Sequence, residues 1–556
     1  MHALRRIRPS SLVLLTAAPF IFYLFATNSN YQRSLIAILG IEADAPKLLF
    51  SYATFLAMTV SGLVFPVLCL RRKEVGPNCR LAGNLAAALN LLLAAFVIFI
   101  ADSAAFVNSV VANAVDPFKS LLIIPTLLPR RLTPEAMDAA LAALHSGLLA
   151  YVLASVALLA LATLGMRQGR RGLRIVSAVA LLGLNAFGAA YLLFAVHAGF
   201  ADGLATTLRA AVFAYVLAAF MGLGLAGMQR LGLGRRTLTC YAIFCGILLA
   251  LSAGLLLQPK ADYVLVGSLQ GRVAIVLGTP ESLVDSVRFG RYEGAPEGAA
   301  GEAKLRSVAE TKRAIELIQS GSDVTGALLP AELAPPAAPV LWRVSTLPDR
   351  YRVPAALFGV AGILFSVLTF GAFQHRRHPL AVGSEFFVDT VRGIPMLVII
   401  LYIGLPIGGA VKDATGGAID LSAMTRGIFA MAVAYSAYLA EIFRAGIEAV
   451  PRGQIEAARS VGLSNWQVAR LVVLPQALRV VIPPLGNEFI AILKDTSLLS
   501  ILSVRDVTQR MREFQSASFL PFAPFNATAI LYVVLTLAAA SGLKWIERRY
   551  DVKERS

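Results

Sequence analysis

Three polar side chains stand inside stretches that are otherwise apolar. Asn487 and Glu488 interrupt the run Val480 to Leu493, and Glu441 ends an apolar stretch that begins near Met424. An ionised carboxylate at such depth in a bilayer costs ~2.5–3.5 kcal/mol on insertion scales unless it is partnered, so such groups face a bundle interior or a cavity. They are candidates for a route that passes a polar solute. Glu441 and Arg444 are also spaced to pair on one helix face, which leaves a structural ion pair and a transport role equally open. Pro483-Pro484 is expected to interrupt the span that carries Glu488, and unwound backbone can line a cavity. Lys494 and Asp495 fall at the outer mouth, as snorkelling groups or as a pair.

A second group is amphipathic rather than membrane-spanning. Pro451 suits a first helical turn, Gln454 to Val461 can run as a helix, and Gly462 supplies the positive φ that ends one. Ser464 with Gln467 three residues on matches a capping box that opens a second helix, Trp466 to Leu474, before Pro475 breaks the run. The product is a compact helix-turn-helix at 450–475, between two apolar spans. A third candidate is Thr279, in Gly278-Thr279-Pro280. A strand from Gly271 feeds this turn into a helix over Glu281 to Arg288, whose N-terminal N–H groups can receive a carboxylate.

Glu456-Ala457-Ala458, three residues, Gly462, nine residues, then Val472-x-Leu474-Pro475 resembles the EAA loop of permease subunits of bacterial ABC importers. Only Val472 departs, standing where that family usually has isoleucine. Val391 to Leu397, Ala437 to Arg444, Leu474 to Arg479, Pro483 to Ile490 and Lys494 to Leu498 are similar to the polar amino-acid branch of that family, histidine, glutamate and glutamine permeases among them. The resemblance covers about residues 354 to 546. It implies a five-span permease core, a second permease half (identical or different), a separate ATP-binding subunit that carries ATP and Mg, and a periplasmic or surface amino-acid-binding protein. It makes Glu456, Ala457, Ala458, Gly462, Leu474 and Pro475 the residues through which the ATPase drives transport. The strand-to-Thr279 turn is similar to part of one lobe of periplasmic amino-acid-binding proteins, and Thr279 is then a contact for a ligand carboxylate; a docking platform or spacer is the alternative.

Composition places these motifs in a membrane. Hydrophobic residues make up 57%, charged residues 15%, and mean hydropathy is +0.71, far from a soluble domain. Apolar runs near the ~20-residue spanning length predict about twelve spans, at 11–27, 48–70, 81–101, 141–165, 173–197, 206–228, 237–257, 354–373, 394–411, 424–442, 478–493 and 526–546. The expected fold is an all-α polytopic membrane protein in three parts. Residues 1–257 form seven spans of unassigned role, 258–353 a small α/β insertion outside the cytoplasm, and 354–556 the permease core. Within the insertion, Glu302 to Gln319 reads as a helix, Val324 to Leu329 as a returning strand, and Pro335, Pro336 and Pro339 as an extended linker.

Basic residues fall in alternate loops: Arg5, Arg6 and Arg8; Arg71, Arg72, Lys73 and Arg80; Arg167 to Arg174; Arg230, Arg235 and Arg236; Arg376 and Arg377; and Lys544 to Arg555. The positive-inside rule then places both termini, and the 450–475 loop, in the cytoplasm of a bacterial inner membrane. The net charge of +17 is dispersed at helix ends, as topology and anionic lipid require, rather than gathered in a nucleic-acid-binding stripe. There is no G-x-x-x-x-G-K-[ST] string, so no nucleotide cofactor is expected on this chain. Cys69, Cys79, Cys240 and Cys245 lack metal or redox spacing, and His375 and His378 lack a third ligand, so no metal is expected. Two other classes remain: a receptor that senses ligand with a permease scaffold, and a membrane enzyme with its site in the N-terminal spans.

Overall fold

The structure, a computed structural model, describes residues 9–550 except 42–43, 71–76, 102, 117–132, 195, 197–198, 294–302, 321–322, 337 and 416–418. The basic residues Arg5, Arg6, Arg8, Arg71, Arg72, Lys73, Lys553 and Arg555 lie outside the described residues. The chain divides into two compact units, residues 1–227 with 386–556, and residues 228–385.

In chain order the first unit opens with α1 (Pro9–Thr27), α2 (Ser29–Leu39), α3 (Ala45–Leu70), α4 (Pro77–Phe99), α5 (Ala104–Val115), α6 (Pro134–Arg167), α7 (Arg171–Phe194) and α8 (Asp202–Gln229). Apolar helices in lipid gain nothing from burying apolar surface against one another, so close approach and internal hydrogen bonds must hold them. Both occur here. Asn90 of α4 donates to the Met58 carbonyl and to the Tyr151 hydroxyl, each at 2.6 Å, and Tyr151 donates to Asn185 Oδ1 at 2.7 Å. Gly62 makes the room: a Cβ there would collide with the Asn185 amide.

The second unit holds α9 (Arg235–Leu256), the strands β1 (Ala261–Gly267) and β2 (Arg272–Val276), α10 (Glu281–Arg288), β3 (Leu305–Val308), α11 (Thr311–Gln319), β4 (Val324–Pro330), β5 (Val340–Thr346) and α12 (Asp349–His375). The sheet order is β3-β2-β4-β1-β5; β2 is parallel to β3 and β4, and β1 is antiparallel to β4 and β5. Period-2 alternation puts Leu265, Val273, Ile275 and Leu328 under Leu283 and Val287 of α10, while Val264, Val266, Ala274 and Ala327 meet Ala314 and Leu317 of α11. One expectation is corrected: Glu302 to Gln319 is not one helix, because Leu305–Val308 pairs in parallel with Val273–Val276 and the helix starts only at Thr311. After Pro339, where the sequence suggested no element, the chain forms β5, which covers the edge of β1. Helices α9 and α12 cross at small residues, and Ser252 donates to the Ala355 carbonyl at 2.7 Å.

The chain then passes through α13 (Pro379–Gly393), α14 (Met396–Tyr402), a π-helical turn (Ile403–Ile407) and α15 (Gly408–Ala414). The run Pro379–Gly393 is bent by 107° against Met396–Lys412, with Pro395 at the break. There follow α16 (Ala423–Glu448), α17 (Arg452–Ser460), α18 (Asn465–Val468), a π-helical turn (Ala469–Val473), α19 (Leu474–Asp495), a 3-10 segment (Thr496–Leu502), α20 (Val507–Ser518) and α21 (Ala523–Tyr550).

Among the described residues ten helices are long and apolar enough to cross a membrane, or eleven with the bent pair, against the twelve expected. The first expected span, 11–27, lies within α1 (Pro9–Thr27), whose 19 residues at 1.5 Å each come close to the ~30 Å hydrocarbon core. Neither proline site breaks its helix as expected. Asn465–Leu502 is one continuous helical run, in which a π-helical turn (Ala469–Val473) shifts the hydrogen-bond pattern just ahead of Pro475, where the proline has no N–H to donate. Pro483 and Pro484 lie inside α19 without unwinding it.

Candidate functional site

The amphipathic loop folds as a projecting stub. Helix α17 ends in a Schellman motif: the Leu463 N–H donates to the Ala458 carbonyl at 3.2 Å and the Gly462 N–H to the Arg459 carbonyl at 2.9 Å, with Gly462 at φ +83°. Ser464 and Gln467 form a reciprocal capping box, with the Gln467 side chain accepting from the Ser464 N–H at 2.8 Å. Gln476 donates to Gln454 at 2.6 Å and so ties α17 to α19. Glu456, Ala457, Leu474 and Pro475 are exposed, and Ala458 is buried beneath them. Val461 and Trp466 are 77% and 72% exposed at the tip, apolar side chains that this unit leaves without cover.

The polar groups of α16 and α19 fall into two sets. Glu441 accepts from Arg444 at 2.6 Å, and Arg444 also reaches Glu448 at 3.2 Å, so one guanidinium bridges two carboxylates at this end of α16. On α19, Asn487 is exposed and Glu488 half-buried. Asp495 accepts from the Tyr435 hydroxyl at 2.7 Å, and Glu488 lies in electrostatic range of Asp495, Tyr435 and Tyr215. Arg392 stacks over the Tyr438 ring at 5.7 Å, and Lys494 is exposed. Asp495 therefore pairs with a tyrosine rather than with the neighbouring Lys494. Sequence reading missed Tyr435 and Tyr215; the latter sits on α8, some 270 residues before its partner Leu485, and no local pattern announces such a contact.

A second polar knot follows α19. Asp506 caps α20 by accepting from the Gln509 N–H at 2.8 Å, and burial pushes its carboxyl up to about 7 against the pull of the Gln509 and Thr508 backbone N–H groups. Arg510, 13% exposed, donates at 2.9 Å to Asp202, 1% exposed, on α8.

In the second unit Thr279 stands at the carboxyl end of β2, and its N–H donates to the Val276 carbonyl at 3.1 Å. The Glu281 N–H, at the start of α10, donates at 3.1 Å to the carboxylate of Asp349. A side chain of this protein thus occupies the place at the helix terminus where a ligand carboxylate was expected. His378 Nδ1 accepts from the Leu380 N–H at 3.1 Å and its ring meets Tyr241 edge-on, which accounts for that side chain within the loop.

Residues 360–552 match the family model described as binding-protein-dependent transport system inner membrane component. The chain is similar to the probable glutamine ABC transporter permease protein GlnM of Bacillus subtilis (strain 168), with 33% identity over 194 residues, 34% of this chain and 84% of that protein. It is similar also to the histidine/lysine/arginine/ornithine transport system permease protein HisQ of Escherichia coli (strain K12), 37% identical over 172 residues, 30% of this chain and 75% of that one. Among solved structures, one described as an amino acid ABC transporter with histidines shares 37% identity over 31% of this chain and 77% of its own, with a TM-score of 0.28. A relative above 30% identity whose length is mostly covered, together with the projecting stub, leaves one assignment: this chain belongs to the family of binding-protein-dependent transport system inner membrane components, the permease subunits of ABC importers.

Proposed function

We propose that the chain is one permease half of an ATP-driven importer that moves an amino acid or similar small polar solute into the cytoplasm by alternating access. ATP is bound and hydrolysed by a separate subunit, which grips the stub at Glu456, Ala457, Ala458, Gly462, Leu474 and Pro475 and shifts it as two such subunits close. The observation that supports this reading best is the stub itself. A polar helix with a sharp αL exit, a second capped helix and two bare apolar side chains at its tip is a rigid handle with an uncovered contact face.

The continuous run Asn465–Leu502 gives that handle a mechanical path: force applied near Trp466 reaches Asn487 and Glu488 along one helix. Those two residues line the solute path, and a carboxylate there suits the ammonium group of an amino acid. A second permease half, identical or different, closes the path, and a periplasmic or surface binding protein delivers the solute. Both termini and the stub face the cytoplasm of the inner membrane, and lipid surrounds the spans. Thr279 contacts a ligand carboxylate only if Asp349 withdraws from α10. Gentle detergent extraction followed by co-purification tests the reading: an ATPase should accompany the chain and be lost in a Val461→Asp/Trp466→Asp variant. Recovery without an ATPase would favour a receptor or an enzyme.

A further inference from the structure

The family match begins at residue 360, yet a helix far upstream is built into the same packing as α16 and α19. Helix α8 carries Ala210, Ala211, Ala214, Ala218 and Gly222, all buried, in one cluster with Met431, Ala437, Leu439 and Ile492. The approach at Gly222 admits no side chain: an added Cβ would stand 2.9 Å from the Ser436 carbonyl oxygen and 3.0 Å from the Ala440 nitrogen. Three polar ties register the helix along its length. Asp202 accepts from Arg510 at 2.9 Å, Thr207 Oγ1 accepts from the Val507 N–H at 3.2 Å, and the Tyr215 hydroxyl donates to the Leu485 carbonyl at 3.0 Å.

Tyr215 makes a further contact. Its ring meets Phe489 edge-on, 5.3 Å between centroids at 79°. One side chain therefore holds both ends of the turn Leu485 to Phe489, the turn that presents Asn487 and Glu488. The bonds that Pro483 and Pro484 cannot make would have reached the Arg479 and Val480 carbonyls, so α19 is least supported by its own backbone in the turn directly before Leu485. A tyrosine from another helix supplies a hydrogen bond and an aromatic contact directly beyond that weak point.

We propose that Tyr215 of α8 is a positioning residue for the translocation path, setting the orientation of Asn487 and Glu488 through the Leu485–Phe489 turn. The inference rests on the reading above that this face of α19 lines the path. Loss of the hydroxyl then alters how Asn487 meets solvent while membrane insertion and stub geometry stay as they are.

The test uses the full chain with its ATPase in native membranes, with Cys69, Cys79, Cys240 and Cys245 replaced by alanine and Asn487→Cys as reporter. The probe is a small membrane-impermeant methanethiosulfonate, and its labelling rate is read with and without ATP and vanadate. With Tyr215 in place the rate should differ between the two conditions. Tyr215→Phe, which keeps the ring on Phe489, should shrink that difference about fivefold, the effect of one neutral hydrogen bond of ordinary net strength. Phe220→Ala, on the lipid-exposed face of the same helix, should leave it unchanged. A full ATP-dependent difference retained in the Tyr215→Phe variant overturns the role of Tyr215 and leaves the path intact. No labelling of Asn487→Cys in any background overturns the path itself and this inference with it.

Discussion

Replacing Gly462 separates the backbone of the stub from its contact surface. Gly462 sits at φ +83°, and a Cβ built there meets nothing within 4 Å. Crowding inside this chain therefore contributes nothing, and the whole intramolecular cost of alanine is the left-handed backbone, ~1–2 kcal/mol. Asparagine tolerates that region and should cost roughly half as much. Since ~1.4 kcal/mol is tenfold in an equilibrium, Gly462→Ala should lower the equilibrium constant for the Schellman geometry by about 5- to 30-fold. Uptake by proteoliposomes that contain the ATPase should then fall in the order Gly, Asn, Ala. Gly462→Trp tests the other term, because nothing in this chain opposes its side chain: a fall beyond that of alanine places a partner surface against Gly462. The reasoning is refuted if alanine, asparagine and tryptophan all sustain wild-type uptake at normal insertion, and its backbone component is refuted if asparagine is as damaging as alanine.

Gly222→Leu should lower stability by ~1–3 kcal/mol, read as a drop in the thermal unfolding midpoint in detergent, because two of the atoms that its Cβ meets belong to the backbone of α16, whereas Gly224→Leu, with nothing within 4 Å, should be neutral. Asp202→Ala should cost ~3–5 kcal/mol by stranding Arg510, and the double variant Asp202→Leu/Arg510→Met should regain most of that in the same assay. Asp506, with its folded-state carboxyl raised to about 7 from an ordinary 3.8, binds more protons folded than unfolded, so stability should be fullest below pH 4, fall as pH rises toward 7 and level off above it; Asp506→Asn should flatten that slope. Asp349→Ala should cost about 1 kcal/mol and speed hydrogen exchange at the Glu281 amide, while Thr279→Ala should leave that amide protected.

Local chemistry was legible in the sequence wherever it was closed over a few residues. The Gly462 exit and the Ser464–Gln467 box depend only on backbone geometry and side chains three or four positions apart, and both stand in the structure as the spacing implies. The proline readings failed for a related reason. A rule for an isolated helix holds Pro475 and Pro483-Pro484 to be breaks, but a π-helical turn ahead of Pro475 and packing around Pro483 and Pro484 allow the helix to continue. Strand β5 was hidden because its alternation is short and its partner β1 lies more than seventy residues back. The Glu281–Asp349 contact was invisible for the same reason of separation.

Residues 1–257 read as one block of seven spans because hydropathy measures burial in lipid and carries no information about which helix a span prefers. The packing divides that block. Helices α3, α4, α6 and α7 satisfy one another through Asn90, Tyr151 and Asn185, a polar network complete within itself. Helix α2 instead packs on α20 and α21 through Ile38, Val507, Met511 and Ala527, and Gly203 of α8 lies so close to the Ile38 carbonyl that no side chain would fit. With Gly40 pressed against the Arg510 guanidinium, the N-terminal helices meet α20 where Asp202 receives its ion pair. A charged pair in an apolar surrounding tolerates little change in separation, since the desolvation of both groups is offset only at close contact. The register between α8 and the region after α19 is therefore fixed at Asp202–Arg510, and Tyr215, about three and a half turns further along α8, is held opposite Leu485 by the same constraint.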